Sequence, residues 1–445
     1  MKTYYKKIYI KTWGCDMNKY DSSKIIDIFF KKKKYSLAKT DTEADIILLN
    51  TCSVREKAQE KVFHQLGRWK KLKKNKIELI LCVGGCVASQ MNKSILKRAP
   101  YVDIIFGPKT IHLLPEMIRS FEKSRRKIIN IDSNFRNKKF QKNHETIRKD
   151  ISSLISIIEG CNKKCSFCIV PFTRGKEFSR PLNEILIEIK NLVSEGCREI
   201  HLLGQNVNAY RYVQKNGKIY DFSKLIQKIS LINGVKRIKF STNHPNHFTQ
   251  DVIDLYSTIS QLVDYVHIPV QSGSDEILRK MRRPYTIERY KKIIKKIREV
   301  RPDILIGSDF IVGFPGETKE DFLKTIQLVK EIDFDVSFSF MYSSRPGTEA
   351  SLLRDDTNGH EKRNRLYFLQ NLIERQIIEH NKRMVNQTQK ILVLSKDQND
   401  PNKLVGFSNK NRKVIFYGSK EMIGNLIDVK ITHFYKNKLY GRAIE

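Results

Sequence analysis

The chain has 445 residues, of which 40% are hydrophobic and 29% charged, so it is a folded protein too long for one core. It has no run of about 18 apolar residues that could cross a bilayer, and no signal peptide follows Met1, so we expect no membrane association and a cytoplasmic location. The 83 basic and 48 acidic residues give a net charge of +35. That charge favours a nucleic-acid partner, although a general enrichment in Lys, Ile and Asn is an alternative explanation.

Residues 6–123 alternate apolar strands with helical patterns, which predicts a doubly wound α/β domain with a parallel sheet. One helix is predicted from near Ser22, and a second is predicted from Arg55 to Leu72. The predicted strands are Ile8–Ile10, Ile46–Leu49, Leu79–Leu81 and Val102–Phe106.

Three cysteines follow the first three of these strands, namely Cys15, Cys52 and Cys86. The carboxyl ends of parallel strands form the crevice where such sheets bind ligands, so a three-thiolate site is predicted there. The alternative is a set of isolated buried thiols. That interpretation is preferred for Cys82, inside an apolar strand, and for Cys197, after a helix.

Residues 124–146 are basic and polar and predict a linker with one short strand at 128–131. From 147 to 380 strand-helix alternation returns six times, which predicts a partial (β/α)6 version of the TIM barrel with its chemistry at the carboxyl ends of the strands. A helix is predicted at its end, over 360–384. The six predicted strands are Leu154–Ile158, Glu199–Leu203, Arg237–Ser241, Tyr265–Ile268, Leu305–Ile311 and Val336–Met341.

The first barrel strand leads into a C-x3-C-x2-C triplet of Cys161, Cys165 and Cys168. Three thiolates on one short loop are a metal-binding arrangement. A closed structural zinc site needs four ligands, whereas three cysteines on a four-iron cluster would leave one iron open for catalysis. Three unrelated buried thiols are the alternative, but free cysteines rarely gather on one loop.

Polar and glycine-rich segments follow the other barrel strands and are predicted to share a rim with Cys161. They are 204–208, 242–245, 269–273, 313–317 and 343–347. Each could be an ordinary turn, but five on one predicted face favour a binding site.

Residues 382–445 contain short alternating strands separated by turns, which predicts a small all-β barrel of a kind that often binds oligonucleotides. Its candidate phosphate contacts are Lys410, Arg412, Lys413, Lys436 and Lys438.

Taken together, the chain resembles the radical S-adenosylmethionine (SAM) methylthiotransferases over nearly its whole length. The spacing of Cys161, Cys165 and Cys168 is similar to the radical SAM signature, and the final barrel resembles a TRAM-type RNA-binding domain. The longer segments that carry the resemblance are 11–15, 50–58, 83–90, 159–162, 203–210 and 309–318.

The resemblance implies methylthiolation of isopentenyladenosine, next to the anticodon of tRNA, with two [4Fe–4S] clusters and SAM as cofactors. One cluster is expected on Cys161, Cys165 and Cys168, where it chelates SAM, and the other on Cys15, Cys52 and Cys86, where it provides sulfur. The expected cofactor pocket includes Phe167, Gly204, Gln205, Gly313 and Glu317. The reaction also needs an electron donor and a sulfur source as partners, and we expect the protein to be a monomer.

Two positions depart from the family pattern: Asp16 stands where Gln is usual, and Asn243 where Ser is usual. Neither is an expected cluster ligand, but Asp16 places a negative charge beside Cys15. Related enzymes act on threonylcarbamoyl-adenosine in tRNA or on an aspartate of a ribosomal protein. The segments 53–58 and 59–69 favour isopentenyladenosine. A different class, a non-catalytic RNA-binding protein with structural zinc, remains an alternative.

Overall fold

The protein is described as a computed structural model that covers residues 5–31, 34–53, 56–131 and 150–444. The predicted linker lies outside these ranges from residue 132 onward, as does Arg55. The chain divides into two compact units. The first contains the described residues up to 131 together with 159–162 and 169–178, and the second contains the remaining described residues. In the described ranges, no helix is long and apolar enough to cross a membrane.

The first unit is built on a six-stranded sheet in the order β2-β1-β3-β4-β5-β6, with every neighbouring pair parallel. Strands β3 and β4 are buried along their whole length because the helices that follow the strands cover the sheet. The strands are β1 Lys6–Thr12, β2 Tyr35–Leu37, β3 Ile46–Thr51, β4 Ile80–Gly85, β5 Ile104–Phe106 and β6 Ile128–Asn130. The helices are α1 Asp16–Phe30, α2 Glu56–Asn75, α3 Cys86–Met91, α4 Ser94–Arg98, α5 Leu114–Ser124 and α6 Val170–Thr173, with a 3-10 helix at Pro108–Leu113.

The doubly wound parallel sheet is confirmed, with two differences from the prediction. Helix α1 begins at Asp16 rather than near Ser22. The prediction missed its first turns because the buried residues there include the polar Asn18 and Asp21, so these turns lack the apolar periodicity of a helix. The sheet also continues past residue 123, since β6, expected in the linker, pairs with β5.

The second unit begins with strand-helix repeats whose parallel strand pairs form the wall of the predicted partial barrel. The strands are β7 Ser152–Ser156, β8 Ile158–Glu159, β9 Phe178–Ser179, β10 Glu199–Leu203, β11 Arg211–Val213, β12 Ile219–Asp221, β13 Arg237–Phe240, β14 Tyr265–His267, β15 Leu305–Gly307, β16 Asp309–Val312 and β17 Phe338–Met341. The helices are α7 Leu182–Ser194, α8 Phe222–Ser230, α9 Gln250–Thr258, α10 Asp275–Lys280, α11 Ile287–Val300, α12 Lys319–Ile332 and α13 Gly359–Met384, with 3-10 helices at Val207–Ala209, Pro245–His247 and Glu349–Leu352.

The strand predicted over 305–311 is divided into β15 and β16 at Ser308. The hydroxyl of this buried residue donates to the carbonyl of Ile268 at 3.1 Å and accepts from the N–H of Val270 at 3.0 Å. Helix α12 begins at Lys319, where a capping box formed by Thr318 and Asp321 fixes its start.

The final segment forms a closed five-stranded barrel in the order β18-β19-β20-β22-β21. Its strands are β18 Thr388–Lys396, β19 Lys403–Ser408, β20 Lys413–Tyr417, β21 Leu426–Tyr435 and β22 Lys438–Ala443, with a 3-10 helix at Lys420–Met422. This β-barrel packs on the amino-terminal ends of core strands. Arg237, which begins β13, donates to the carbonyl of Phe407 at 2.8 Å, and the carbonyl of Asn409 accepts from the N–H of Asp264 at 2.8 Å.

Candidate metal centres

Cys15, Cys52 and Cys86 lie at one edge of the first unit's sheet. Cys15 is the N-cap of α1, Cys52 directly follows β3, and Cys86 is the first residue of α3. Their strands β1, β3 and β4 are parallel neighbours, so their carboxyl ends lie side by side. The strand order reverses between β1 and β3, and doubly wound sheets bind ligands at such a switch point. We call these three residues the N-terminal triad.

The thiols of the triad interact with each other and with nearby polar groups. A hydrogen bond with Cys52 lowers the pKa of Cys15 to about 6; burial of the sulfur opposes this effect, and the charge of Arg174 assists it. The Cys15 Sγ also donates to Asn18 Oδ1 at 3.4 Å. Because the thiolate is the metal-binding form of cysteine, Cys15 is a competent ligand near neutral pH.

A buried amide network holds the strand ends on which the triad stands. The side chain of Asn50 donates to the carbonyl of Asn18 and to the hydroxyl of Ser22, each at 2.9 Å. Asn18 in turn donates to Asn50 Oδ1 at 3.2 Å and to the carbonyl of Thr51 at 3.1 Å. The network therefore joins α1 to the end of β3. No pattern in the sequence indicates this role for Asn18 or Asn50.

Gly14, beside Cys15, allows the segment before α1 to approach the segment after β3 closely. Gly14 has φ +136°, and a Cβ added there would lie 2.4 Å from the Cβ of Cys52. A side chain at this position would therefore push the first two cysteines of the triad apart.

The C-x3-C-x2-C triplet lies on the loop after β8. Gly160 makes a sharp turn with φ +78°, and the N–H of Cys161 donates to the carbonyl of Gly175 at 3.0 Å. The N–H of Cys168 donates to the carbonyl of Cys165 at 3.1 Å. The Sγ of Cys165 accepts a hydrogen bond from Nη1 of the buried Arg283 at 3.6 Å, an interaction that the sequence analysis missed.

The predicted pocket residues of the second unit lie on loops at the carboxyl ends of its strands. Gly204 is buried, and a Cβ there would lie 2.4 Å from Ile158 Cγ2; Gln205 beside it is half-buried. Phe167 packs against an apolar cluster that includes Phe314, next to Gly313.

Glu317 faces its own loop. Its Oε1 accepts from the N–H of Gly313 at 2.9 Å and from Arg365 Nη1 at 2.6 Å. Burial raises the pKa of this carboxyl, while the bonds from Gly313 and Arg365 act in the opposite direction. The structure thus gives Glu317 a role in holding the loop, and a direct contact with a cofactor stays a prediction.

His244, which the sequence analysis placed only in a rim segment, is a buried imidazole at the end of β13. Its Nδ1 accepts from the N–H of Asn246 at 3.2 Å. Burial lowers its pKa to about 2, assisted by the charges of Arg283, Lys163 and His247. The ring is therefore neutral at physiological pH.

One of the five predicted phosphate contacts in the β-barrel is wrong. Arg412 is buried, and its guanidinium forms an ion pair with Asp335, with Nη1 2.8 Å from Oδ2. It therefore has no free face for RNA. Lys436 and Lys438 are exposed at the turn between β21 and β22, while Lys410 and Lys413 are half-buried.

The cysteines suit iron–sulfur clusters chemically, since all eight in the chain are free thiols. Within the described residues, no group of three or more His, Cys, Asp or Glu side chains is already gathered at metal-ligand spacing.

Comparison with known families gives three matches in chain order. Residues 7–107 match the "Uncharacterized protein family UPF0004", residues 155–329 match the radical SAM superfamily, and residues 382–444 match the TRAM domain. Within the described ranges, these segments correspond to the first five strands of the parallel sheet, most of the core barrel and the final β-barrel.

Similar curated proteins align with almost the whole chain. A protein from Haemophilus influenzae (strain PittGG) is 51% identical over 439 residues, which cover 99% of this chain and 92% of the relative. Proteins from Photorhabdus laumondii subsp. laumondii and Pseudoalteromonas atlantica are 51% and 50% identical with the same coverage. All three are named tRNA-2-methylthio-N(6)-dimethylallyladenosine synthase.

Solved structures show the same fold at much lower identity. The radical SAM methyltransferase TsrM from Kitasatospora setae, with cobalamin and a [4Fe-4S] cluster bound, aligns with a TM-score of 0.54 at 14% identity, over 78% of this chain and 77% of that one. The cobalamin-dependent radical SAM enzyme OxsB aligns with a TM-score of 0.51 at 12% identity, over 83% of this chain and 56% of that one.

Proposed function

Because the chain belongs to the family of tRNA-2-methylthio-N(6)-dimethylallyladenosine synthases, we propose that it methylthiolates C2 of isopentenyladenosine at position 37 of tRNA. The enzyme is a radical SAM transferase. Its end-to-end similarity to the named synthases is the observation that carries the proposal. The enzyme acts as a monomer on tRNA in the cytoplasm, and it receives electrons and sulfur from other molecules.

The two cysteine sets have separate tasks. Cys161, Cys165 and Cys168 hold the cluster that binds SAM, and the N-terminal triad holds a second cluster. When bound, the first cluster with SAM supplies the radical chemistry that an unactivated C–H bond requires, and the second supplies the sulfur. The hydrogen bond from Arg283 to Cys165 supports the first assignment, because it directs a buried cation at the sulfur of a predicted cluster ligand.

The surrounding residues orient the reactants. The bonds from Gly313 and Arg365 to Glu317 keep the 313–317 loop in one conformation beside the expected cofactor pocket. The exposed lysines of the β-barrel bind the phosphates of tRNA, which contributes affinity without sequence selectivity. The target base must leave its stack to reach the core, since radical attack at C2 needs an exposed base edge.

Nucleoside mass spectrometry of tRNA tests the substrate. A strain that lacks the gene should accumulate isopentenyladenosine, and a plasmid copy should restore the methylthio derivative. Unchanged methylthio-isopentenyladenosine in the deletion strain would contradict the proposal. Loss of a methylthio group from threonylcarbamoyl-adenosine or from a ribosomal protein would assign the chain to one of the related enzymes instead.

Two cysteine variants test the division of tasks. Cys161→Ala should abolish SAM cleavage, whereas Cys52→Ala should retain most of that cleavage and lose methylthiolation. Cys197→Ala is a matched control, because this buried thiol donates to the carbonyls of Ile151 and Glu199 within the second unit, and both activities should persist. Zinc without iron or sulfide in anaerobically purified protein would favour the non-catalytic alternative.

A further inference from the structure

Arg174 is a buried cation in the first unit, directly after α6. Its Nη2 lies 2.8 Å from Oδ2 of Asp21, and the side chains are only 3% and 1% exposed. Asp21 lies on α1, the helix that begins beside Cys15. The ion pair therefore fixes the guanidinium against the helix that carries the first residue of the N-terminal triad.

The guanidinium of Arg174 has N–H groups whose acceptors are not accounted for among the described residues. A guanidinium offers five N–H donors, yet neither Nη1 nor Nη2 of Arg174 makes an oriented hydrogen bond to any described residue, although both are buried. Buried charged donors are costly when unsatisfied, so native proteins rarely leave them without an acceptor. The missing acceptor is expected among the groups that surround this side chain.

Those groups include two members of the triad. Burial acts to lower the pKa of Arg174, but the charges of Asp21, Cys86, Glu159 and Cys15 raise it well above its ordinary value. Helix α6, which precedes Arg174, also packs against α3, the helix that Cys86 begins. Arg174 thus lies close both to α1, which Cys15 caps, and to α3, which begins at Cys86.

We propose that Arg174 is a positioning residue of the N-terminal triad, whose terminal N–H groups donate to the thiolate sulfurs of Cys15 and Cys86 and whose fixed charge stabilises the reduced state of the cluster held there. The inference rests on the proposed function, which assigns a cluster to these cysteines. Hydrogen bonds to cluster sulfur and nearby charge are established means by which proteins set the reduction potential of iron–sulfur centres.

The second unit contains the same kind of interaction between a buried arginine and a predicted cluster ligand. Arg283 donates to the Sγ of Cys165 while its Nη2 donates to the carbonyl of Pro269 at 2.9 Å. Each cysteine set is therefore accompanied by one buried arginine, although the two arginines come from different parts of the sequence.

A structural ion pair is the competing explanation, and the chain offers a matched control for it. Arg180 pairs with Glu188 at the same distance, 2.8 Å, with side chains 3% and 4% exposed. Its Nη1 donates to the carbonyl of Ser156 at 2.7 Å, whereas Nη1 of Arg174 has no such bond to a described residue. Loss of either arginine leaves a buried carboxylate, but Arg174 belongs to the unit that contains the triad and Arg180 to the second unit.

The test uses the full chain with Cys161, Cys165 and Cys168 changed to Ala, so that all bound iron belongs to the triad. After anaerobic reconstitution, iron content and the midpoint potential are measured, the latter by redox titration followed by EPR. R174Q should shift the potential to a more negative value, R174K should shift it less, and R180Q should leave it unchanged. The double variant R174Q/D21N removes both buried charges, so it keeps the comparison valid if R174Q folds poorly, and it should retain the negative shift.

Loss of iron from R174Q but not from R180Q, with the far-UV circular dichroism of both unchanged, would also support the inference. If R174Q, R174K and R174Q/D21N all had the midpoint potential and iron content of the parent chain, the inference would be overturned. A parent chain that binds no iron would overturn the cluster assignment itself, and this inference with it. The two failures are thus distinguishable.

Discussion

Arg412, between β19 and β20, forms a buried ion pair with Asp335, which precedes β17, and Arg412 Nε also donates to Asn381 Oδ1 at 2.8 Å. The side chains of Arg412 and Asp335 are 4% and 0% exposed. The pair therefore fixes the β-barrel to the amino-terminal side of the core barrel. An arginine that looks like a nucleic-acid contact in the sequence is instead part of a domain junction.

Replacing Arg412 with Ala should destabilise the second unit by about 3–5 kcal/mol, because it leaves the Asp335 carboxylate buried without its partner. Urea unfolding followed by fluorescence measures the change. Lys436→Ala, at an exposed position of the same β-barrel, is the control and should alter stability by less than about 0.5 kcal/mol. Equal stability of Arg412→Ala and wild type would show that the ion pair does not hold the junction.

The tRNA-binding face is predicted at the turn between β21 and β22. Tyr435 is 62% exposed there, and the Lys436 Nζ lies 5.4 Å from its ring centroid, so an aromatic surface and positive charge occur together. K436A/K438A should weaken tRNA binding, and the slope of log K against log salt concentration should become shallower by about 0.7–0.9 for each phosphate that the protein no longer neutralises. Filter binding at several salt concentrations gives both quantities. K228A/K295A removes the same charge from exposed core helices and should bind as wild type does.

The positions of the triad cysteines could be predicted because a parallel sheet places all strand ends at one edge, so only the strand assignments were needed. Neither the start of α1 nor the burial of Arg412 could be predicted in this way. In both cases polar residues are buried against segments distant in sequence: Asn18 against Asn50, and Arg412 against Asp335. Local hydrophobic patterns do not record such pairings, so they assign these residues to the surface.

The amide network beneath the triad should be required for cluster binding. Asn50→Leu keeps the branched outline of the side chain but removes the donors to Asn18 and Ser22, at a cost of about 1–3 kcal/mol for each buried group left without a partner. When Asn50→Leu is introduced into the chain that lacks Cys161, Cys165 and Cys168, its iron content should fall well below that of the same chain with Asn50. Asn208→Leu is the matched control, since Asn208 makes a similar buried bridge to the backbone of His244 in the second unit. If both variants retained full iron, the network would have no part in shaping the triad.

The neutral state of His244 should make stability depend on pH. Its folded pKa of about 2 lies below the unfolded value near 6.5, so protons bind preferentially to the unfolded chain as the pH falls. The stabilising contribution is therefore complete above pH 6.5 and is lost as the pH decreases toward 2, by about 1.4 kcal/mol for each pH unit. Between pH 7 and pH 5 wild type should lose about 2 kcal/mol of stability through this group.

His244→Gln should remove that part of the pH dependence, because glutamine does not titrate. His360→Gln, at an exposed position, should retain it. Urea midpoints measured at both pH values for the three proteins provide the comparison, and an equal loss in His244→Gln and wild type would show that other groups control the acid response.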